Sequence, residues 1–217
     1  MVVLPLMLVG CDWFGRSEEG PFKGPLDVTK VFKVRERKPP LILPGFDSSP
    51  LRPEPIVTRK NCEDLQDGGT VHGPDCITQD IQCGDTIVGH TVGGVRRFDS
   101  KFYEKKFCTP FTTNHDGGEE RVYRLTMPEG EWKAFVYLDT PCADLDLFAM
   151  YFTGDTCPTI SHAVPRCEAS VFPGTADELV ELVVQSRSET QWFIAVEGKG
   201  EEEGPFGLHV VCRPGLQ

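Results

Sequence analysis

Nine cysteines and a closely spaced pair of aspartates are the side chains of this 217-residue chain whose types and spacing carry chemistry. Eight of the cysteines fall in the last three quarters of the sequence: Cys62, Cys76, Cys83, Cys108, Cys142, Cys157, Cys167 and Cys212. The number is even, and none is spaced as C-x-x-C, the arrangement a zinc ribbon or a dithiol redox site needs. Spread over an acidic, loop-rich chain, they read as disulfides formed in an oxidising compartment. Cys157 and Cys167 bracket a short loop and are the first pair expected; closing it would stabilise the fold by about 2–3 kcal/mol in the chain-entropy picture. Cys62 and Cys76 enclose a Gly- and Asp-rich loop, where a local bridge is also plausible. The pairing of Cys83, Cys108, Cys142 and Cys212 is left open.

Asp144 and Asp146 alternate with Leu145 and Leu147, so in a strand the two carboxylates share one face while the leucines enter a core. With Glu120 they could supply oxygens to Ca²⁺, which takes six to eight such ligands. The preferred reading is plainer: the carboxylates accept hydrogen bonds from loop amides and pin a turn, and no metal is favoured. Asn114 to Gly118 does not fit a calcium-loop template. His72, His90, His115, His162 and His209 are scattered without metal spacing, and no G-x-S-x-G, H-E-x-x-H or phosphate-cradling glycine loop occurs. Trp132, Trp192 and Phe193 fall in expected strands, where aromatics fill cores; an exposed aromatic row binding glycan is the second reading.

The ninth cysteine, Cys11, stands apart. It follows an apolar run, Val2 to Val9, too short to cross a hydrocarbon core but suited to the apolar part of an export signal. Leu8-Val9-Gly10-Cys11 resembles the bacterial lipobox, at which a signal peptidase cuts before a diacylated cysteine. The resemblance implies lipid attachment at Cys11, by palmitate-type chains that hold a protein on a bilayer at about 0.8 kcal/mol per buried CH₂. It also implies localisation in the bacterial cell envelope, on the periplasmic side or the cell surface, with membrane lipid as a partner. Residues 1–10 contain no Lys or Arg, so this signal peptide is expected to be truncated, its true start lying upstream of Met1.

The elements that must position these residues follow. Residues 11–60 carry eight prolines among charges without periodicity and are expected to be a disordered, lipid-anchored tether. Within it, Val28 to Val34 can pair as a short strand and Leu41 to Leu43 can dock on the domain. Residues 61–80 form a cysteine-bounded loop segment, and residues 81–217 a β domain. Strands are expected at Thr86 to His90, Arg121 to Met127, Glu131 to Asp139, Leu145 to Phe152, Leu179 to Gln185, Gln191 to Glu197 and Phe206 to Cys212. Pro128 to Gly130 reads as a turn, and Glu197 to Gly204 as a hairpin loop with Glu201, Glu202 and Glu203 at a solvated tip. Short strands with Gly-rich turns at this spacing argue for an antiparallel β-sandwich, and no window of similar length has clear helical periodicity.

Gly118-Glu-Glu-Arg-Val-Tyr123, Ala143-Asp-Leu-Asp-Leu-Phe148, Trp192-Phe-Ile-Ala-Val-Glu-Gly198 and Gly204-Pro-Phe-Gly-Leu-His-Val-Val-Cys212 occur in an order that resembles the bacterial pre-peptidase C-terminal domain. Glu197 stands where that family has aspartate. The resemblance spans about residues 81–213. It implies a jelly-roll-like sandwich that is appended to secreted hydrolases and is not catalytic.

A net charge of −11 lacks the basic footprint of a nucleic-acid binder. The sequence is therefore read as a non-catalytic, lipid-anchored cell-envelope protein whose disulfide-stapled, all-β module binds protein or polysaccharide. The alternative is an accessory or chaperone-like subunit of a separately encoded secreted hydrolase or protease.

Overall fold

The computed structural model describes residues 52–71, 75–108 and 114–215. Nine strands run in order: β1 (Ile77–Ile81), β2 (Thr86–His90), β3 (Glu120–Met127), β4 (Gly130–Asp139), β5 (Leu145–Tyr151), β6 (Arg166–Ser170), β7 (Glu178–Ser186), β8 (Thr190–Gly198) and β9 (Pro205–Pro214). One short helix, α1 (Ser100–Lys105), lies between β2 and β3. The strands form a five-stranded sheet in the order β1-β3-β8-β5-β6 and a four-stranded sheet in the order β2-β9-β4-β7. The expected β-sandwich is present. One edge departs from the antiparallel pattern: β1 runs parallel to β3.

Between the sheets, alternate residues of most strands meet in a continuous core. It includes Leu125, Met127, Val136, Leu138, Leu147, Leu182, Ile194 and Val210. Each such side chain contributes about 1.5–3 kcal/mol by leaving water. A second apolar layer covers the opposite face of the five-stranded sheet, where Phe98 and the α1 residues Phe102 and Tyr103 pack on Val122, Phe148, Met150 and Phe193. The Asp99 carboxylate caps α1 by accepting a hydrogen bond from the Phe102 N–H at 2.6 Å. The central strands β5 and β8 are thus buried on both faces, which is why they read as nearly unbroken apolar runs.

Two connections differ from a simple meander. Glu197 to Gly204 is not a hairpin: β8 belongs to one sheet and β9 to the other, so the segment crosses between them. Its sharp start needs Gly198, where a Cβ would lie 1.6 Å from the Glu202 carbonyl oxygen. The turn at Pro128 to Gly130 also crosses between sheets, with Gly130 at φ +112°. The strand expected at Leu179 to Gln185 is β7, its residues alternately buried and exposed.

The segment expected to be a free tether up to residue 60 is docked over its last residues. Arg52 pairs with Asp139 at 2.6 Å and Asp177 at 2.5 Å, the Ile56 N–H donates to Asp139, and Val57 is buried. Cys11, the lipobox and the segments Val28 to Val34 and Leu41 to Leu43 lie outside the described residues.

Candidate functional site

All eight cysteines from Cys62 onward are paired: Cys62–Cys142, Cys76–Cys157, Cys83–Cys212 and Cys108–Cys167. The expected Cys157–Cys167 bridge is not formed. The chain between them leads into β6, where Cys167 stands opposite Met150 and reaches Cys108 just after α1. Cys157 bonds Cys76, immediately ahead of β1. The local Cys62–Cys76 bridge is likewise absent, because Cys62 joins Cys142 in the β4–β5 connection. Each bridge ties elements 59 or more residues apart in sequence.

Three of the recognised motifs converge on one buried cluster. Glu120 begins β3, Asp146 lies in β5, and Glu197 near the end of β8 stands between them, opposite Glu120 on one side and Asp146 on the other. The three carboxyls thus sit in a row across adjacent strands, all fully buried beneath α1. Glu120 Oε1 accepts from the Arg97 and Phe98 N–H groups at 2.6 and 3.1 Å. Asp146 Oδ2 lies 2.7 Å from His115 Nε2. The Tyr103 hydroxyl donates to Glu197. Its ring stacks on Phe148 at a centroid distance of 3.9 Å, with His115 edge-on to both.

Burial governs the electrostatics of this cluster. It raises the Glu120 carboxyl to about 7, against the pull of the two amides. Glu197 is raised well above its ordinary range by burial first and the neighbouring Glu120 charge second. Asp146 is raised by burial despite His115, and the Tyr103 hydroxyl by burial and the adjacent Glu197. A second cluster repeats the design: Glu178 is raised to about 7 by burial while it accepts from the Ser170 hydroxyl and the Phe172 N–H.

These groups act inward. Sealed from solvent, they join α1 and its preceding loop to the middle of the sheet rather than face a substrate. The suggested calcium trio is divided: Asp146 and Glu120 belong to the buried row, while Asp144 sits before β5, its N–H donating to Glu202 at 2.7 Å and its carboxylate 3.9 Å from Lys199. Among the described residues, no three His, Cys, Asp or Glu side chains stand where they would hold a metal ion. Glu201 and Glu202 are solvent-exposed as expected, and Glu202 in addition pins the mouth of β5. Trp192 and Phe193 are buried, as core aromatics should be.

Sequence reasoning passed over Tyr103, His115 and Arg121. The available signal was a charged or polar residue inside an otherwise apolar strand, as at Arg121 and Glu197. Arg121 is 2% exposed and donates to the carbonyls of His90 at 2.8 Å, Val92 at 2.7 Å and Gly69. It thereby fastens two loops to the start of β3.

No family model and no curated protein matches the chain. Among solved structures it is similar to the pre-peptidase C-terminal domain of a collagenase from Bacillus anthracis, at 11% identity and a TM-score of 0.38, over 64% of this chain and 98% of that one. A likeness of this size leaves the functional reading to the chain's own residues.

Proposed function

We propose that this chain is an exported, lipid-anchored, non-catalytic module of the bacterial cell envelope that presents its β-sandwich to a protein or polysaccharide. The observation that carries the reading is the cysteine pairing. Four disulfides join distant elements, consistent with folding in an oxidising compartment, and leave Cys11 as the one cysteine available for acylation. The inward-facing carboxyls and His115 support a non-catalytic role, since a catalytic acid or base has to reach its substrate. Intact mass analysis of the protein matured in a bacterial envelope tests the anchor and the compartment together. The expected species begins at Cys11 with its acyl chains and contains no free thiol. An unmodified Cys11, or free thiols among the other eight, would overturn the reading.

A further inference from the structure

At the open edge of the sandwich, between β1 of one sheet and β2 of the other, lies a cavity of about 280 Å³. Its polar lining includes Arg121, His90, Thr78, Tyr123 and Asp67, and Ile87 contributes an apolar wall. Three observations distinguish it from an ordinary gap between strands.

Arg121 brings a buried guanidinium that, among the described residues, forms no ion pair. Its recorded bonds all go to main-chain carbonyls. Carbonyl dipoles offset only part of the cost of burying a full charge. The guanidinium is also fixed in place: a Cβ at Gly68 would lie 2.6 Å from its Nη2, so the backbone is packed against it.

The groups around it are mostly donors. His90 Nδ1 accepts from the Val92 N–H at 3.1 Å, which places the ring proton on Nε2. The Tyr123 hydroxyl reaches the backbone of β2, where a Cβ at Gly89 would lie 2.9 Å from it.

One carboxylate stands among them. Asp67 lines the same cavity, and its charge acts on both His90 and Arg121. A bare inorganic anion would be attracted by Arg121 and repelled by Asp67. A ligand that joins a carboxylate to hydroxyl groups satisfies both, placing its carboxylate on Arg121 and donating a hydroxyl proton to Asp67. The size of the cavity suits one ring of that kind.

We infer that this edge cavity binds the carboxylate-bearing sugar unit of an acidic polysaccharide, with Arg121 as the anion anchor and Asp67 and Tyr123 as hydroxyl partners. The inference rests on the polysaccharide branch of the proposed function and names the ligand class that branch would require.

Titration of the full chain with glucuronate, followed by ligand-observed NMR, tests it, with glucose, cyclohexanecarboxylate and inorganic phosphate as comparison probes. Glucuronate is expected to bind more tightly than each of the other three by about tenfold or more, since each lacks one half of the recognition. Arg121→Met also removes a structural clamp, so two gentler variants accompany it. Tyr123→Phe keeps the ring and removes one hydroxyl. Asp67→Ala acts on an exposed loop residue and removes the hydroxyl acceptor. Both are expected to weaken glucuronate binding while the unfolding midpoint stays unchanged. Absence of glucuronate binding by the folded chain, equal binding of glucose or phosphate, or full binding by Asp67→Ala would overturn the inference. Pull-down on an acidic polysaccharide separates this from the broader reading. Retention of the polymer by an Asp67→Ala chain sinks the cavity and leaves the binding module standing. Glucuronate binding without polymer retention supports the cavity and sinks the polysaccharide role.

Discussion

Replacing Glu120 by glutamine gives a measurable change in how stability depends on pH. In the fold, burial beside Glu197 and Asp146 and under Tyr103 raises Glu120 from an ordinary 4.5 to about 7. Between those two values the folded chain holds a proton that the unfolded chain has released. The contribution is therefore complete below 4.5 and is lost as pH rises through 7. A displacement of this size corresponds to about 3 kcal/mol at 1.36 kcal/mol per pH unit. Glutamine is neutral throughout, and its carbonyl can still accept from the Arg97 and Phe98 N–H groups that now bond Oε1. Urea unfolding in half-unit steps from pH 4 to 8, with the disulfides intact, should show the stability of the native protein, relative to Glu120→Gln, falling by about 3 kcal/mol across that range. Groups remote from Glu120 titrate alike in both proteins and cancel in the difference, while Glu197, relieved of the Glu120 charge in the variant, deepens the fall. Parallel curves would refute the reasoning, because they would mean that Glu120 titrates in the fold as it does in the unfolded chain.

Three further outcomes are expected. Replacing both Cys83 and Cys212 by serine opens a loop with a sequence separation of 129, which should cost about 5 kcal/mol by loop-closure entropy and appear as a large drop in the urea midpoint. Phe148→Ala removes the ring stacked on Tyr103 and should lower stability by about 3–5 kcal/mol in the same assay; a loss below 1 kcal/mol would mean that the layer under α1 contributes little. Arg52→Ala leaves the 1%-exposed Asp139 without its guanidinium partner, at a cost of about 1–3 kcal/mol. Trypsin should then cleave after Lys60 faster than in the native chain, whereas an unchanged rate would argue that Arg52 does not hold this segment down.

The strands legible in the sequence were those with one face in the core or both. β3, β4 and β7 alternate, and β5 and β8 are apolar runs because a second layer covers their outer face. β1 and β6 escaped notice because ITQDI and RCEAS are short, polar edge strands, β1 pairing with the distant β3 and β6 with the preceding β5. α1 is six residues long, less than two turns, and too short to display a period; it owes its place to Phe102 and Tyr103 packing below it. The motif order around Glu120, Asp146 and Glu197 was visible, but their convergence depends on β8 lying between β3 and β5, which no local pattern encodes. The same holds for the disulfides. Proximity in sequence favoured Cys157 with Cys167, while strand order separates them and brings each to a partner far along the chain.

The pattern of bridges also limits how far the molecule can be stretched. Cys83–Cys212 joins the two ends of the domain, so a pull between Cys62 and Cys212 runs along only the 21 residues from Cys62 to Cys83 before crossing the bridge. Fully extended, that path measures about 70 Å, while the 150 residues of the open chain between the same two points would reach about 500 Å. Loss of every hydrogen bond in both sheets would therefore leave the oxidised chain short. Under shear between its ends the intact bridge sets this limit, and reduction of Cys83–Cys212 releases only part of the hidden length, since Cys62–Cys142 and Cys76–Cys157 still shorten the path.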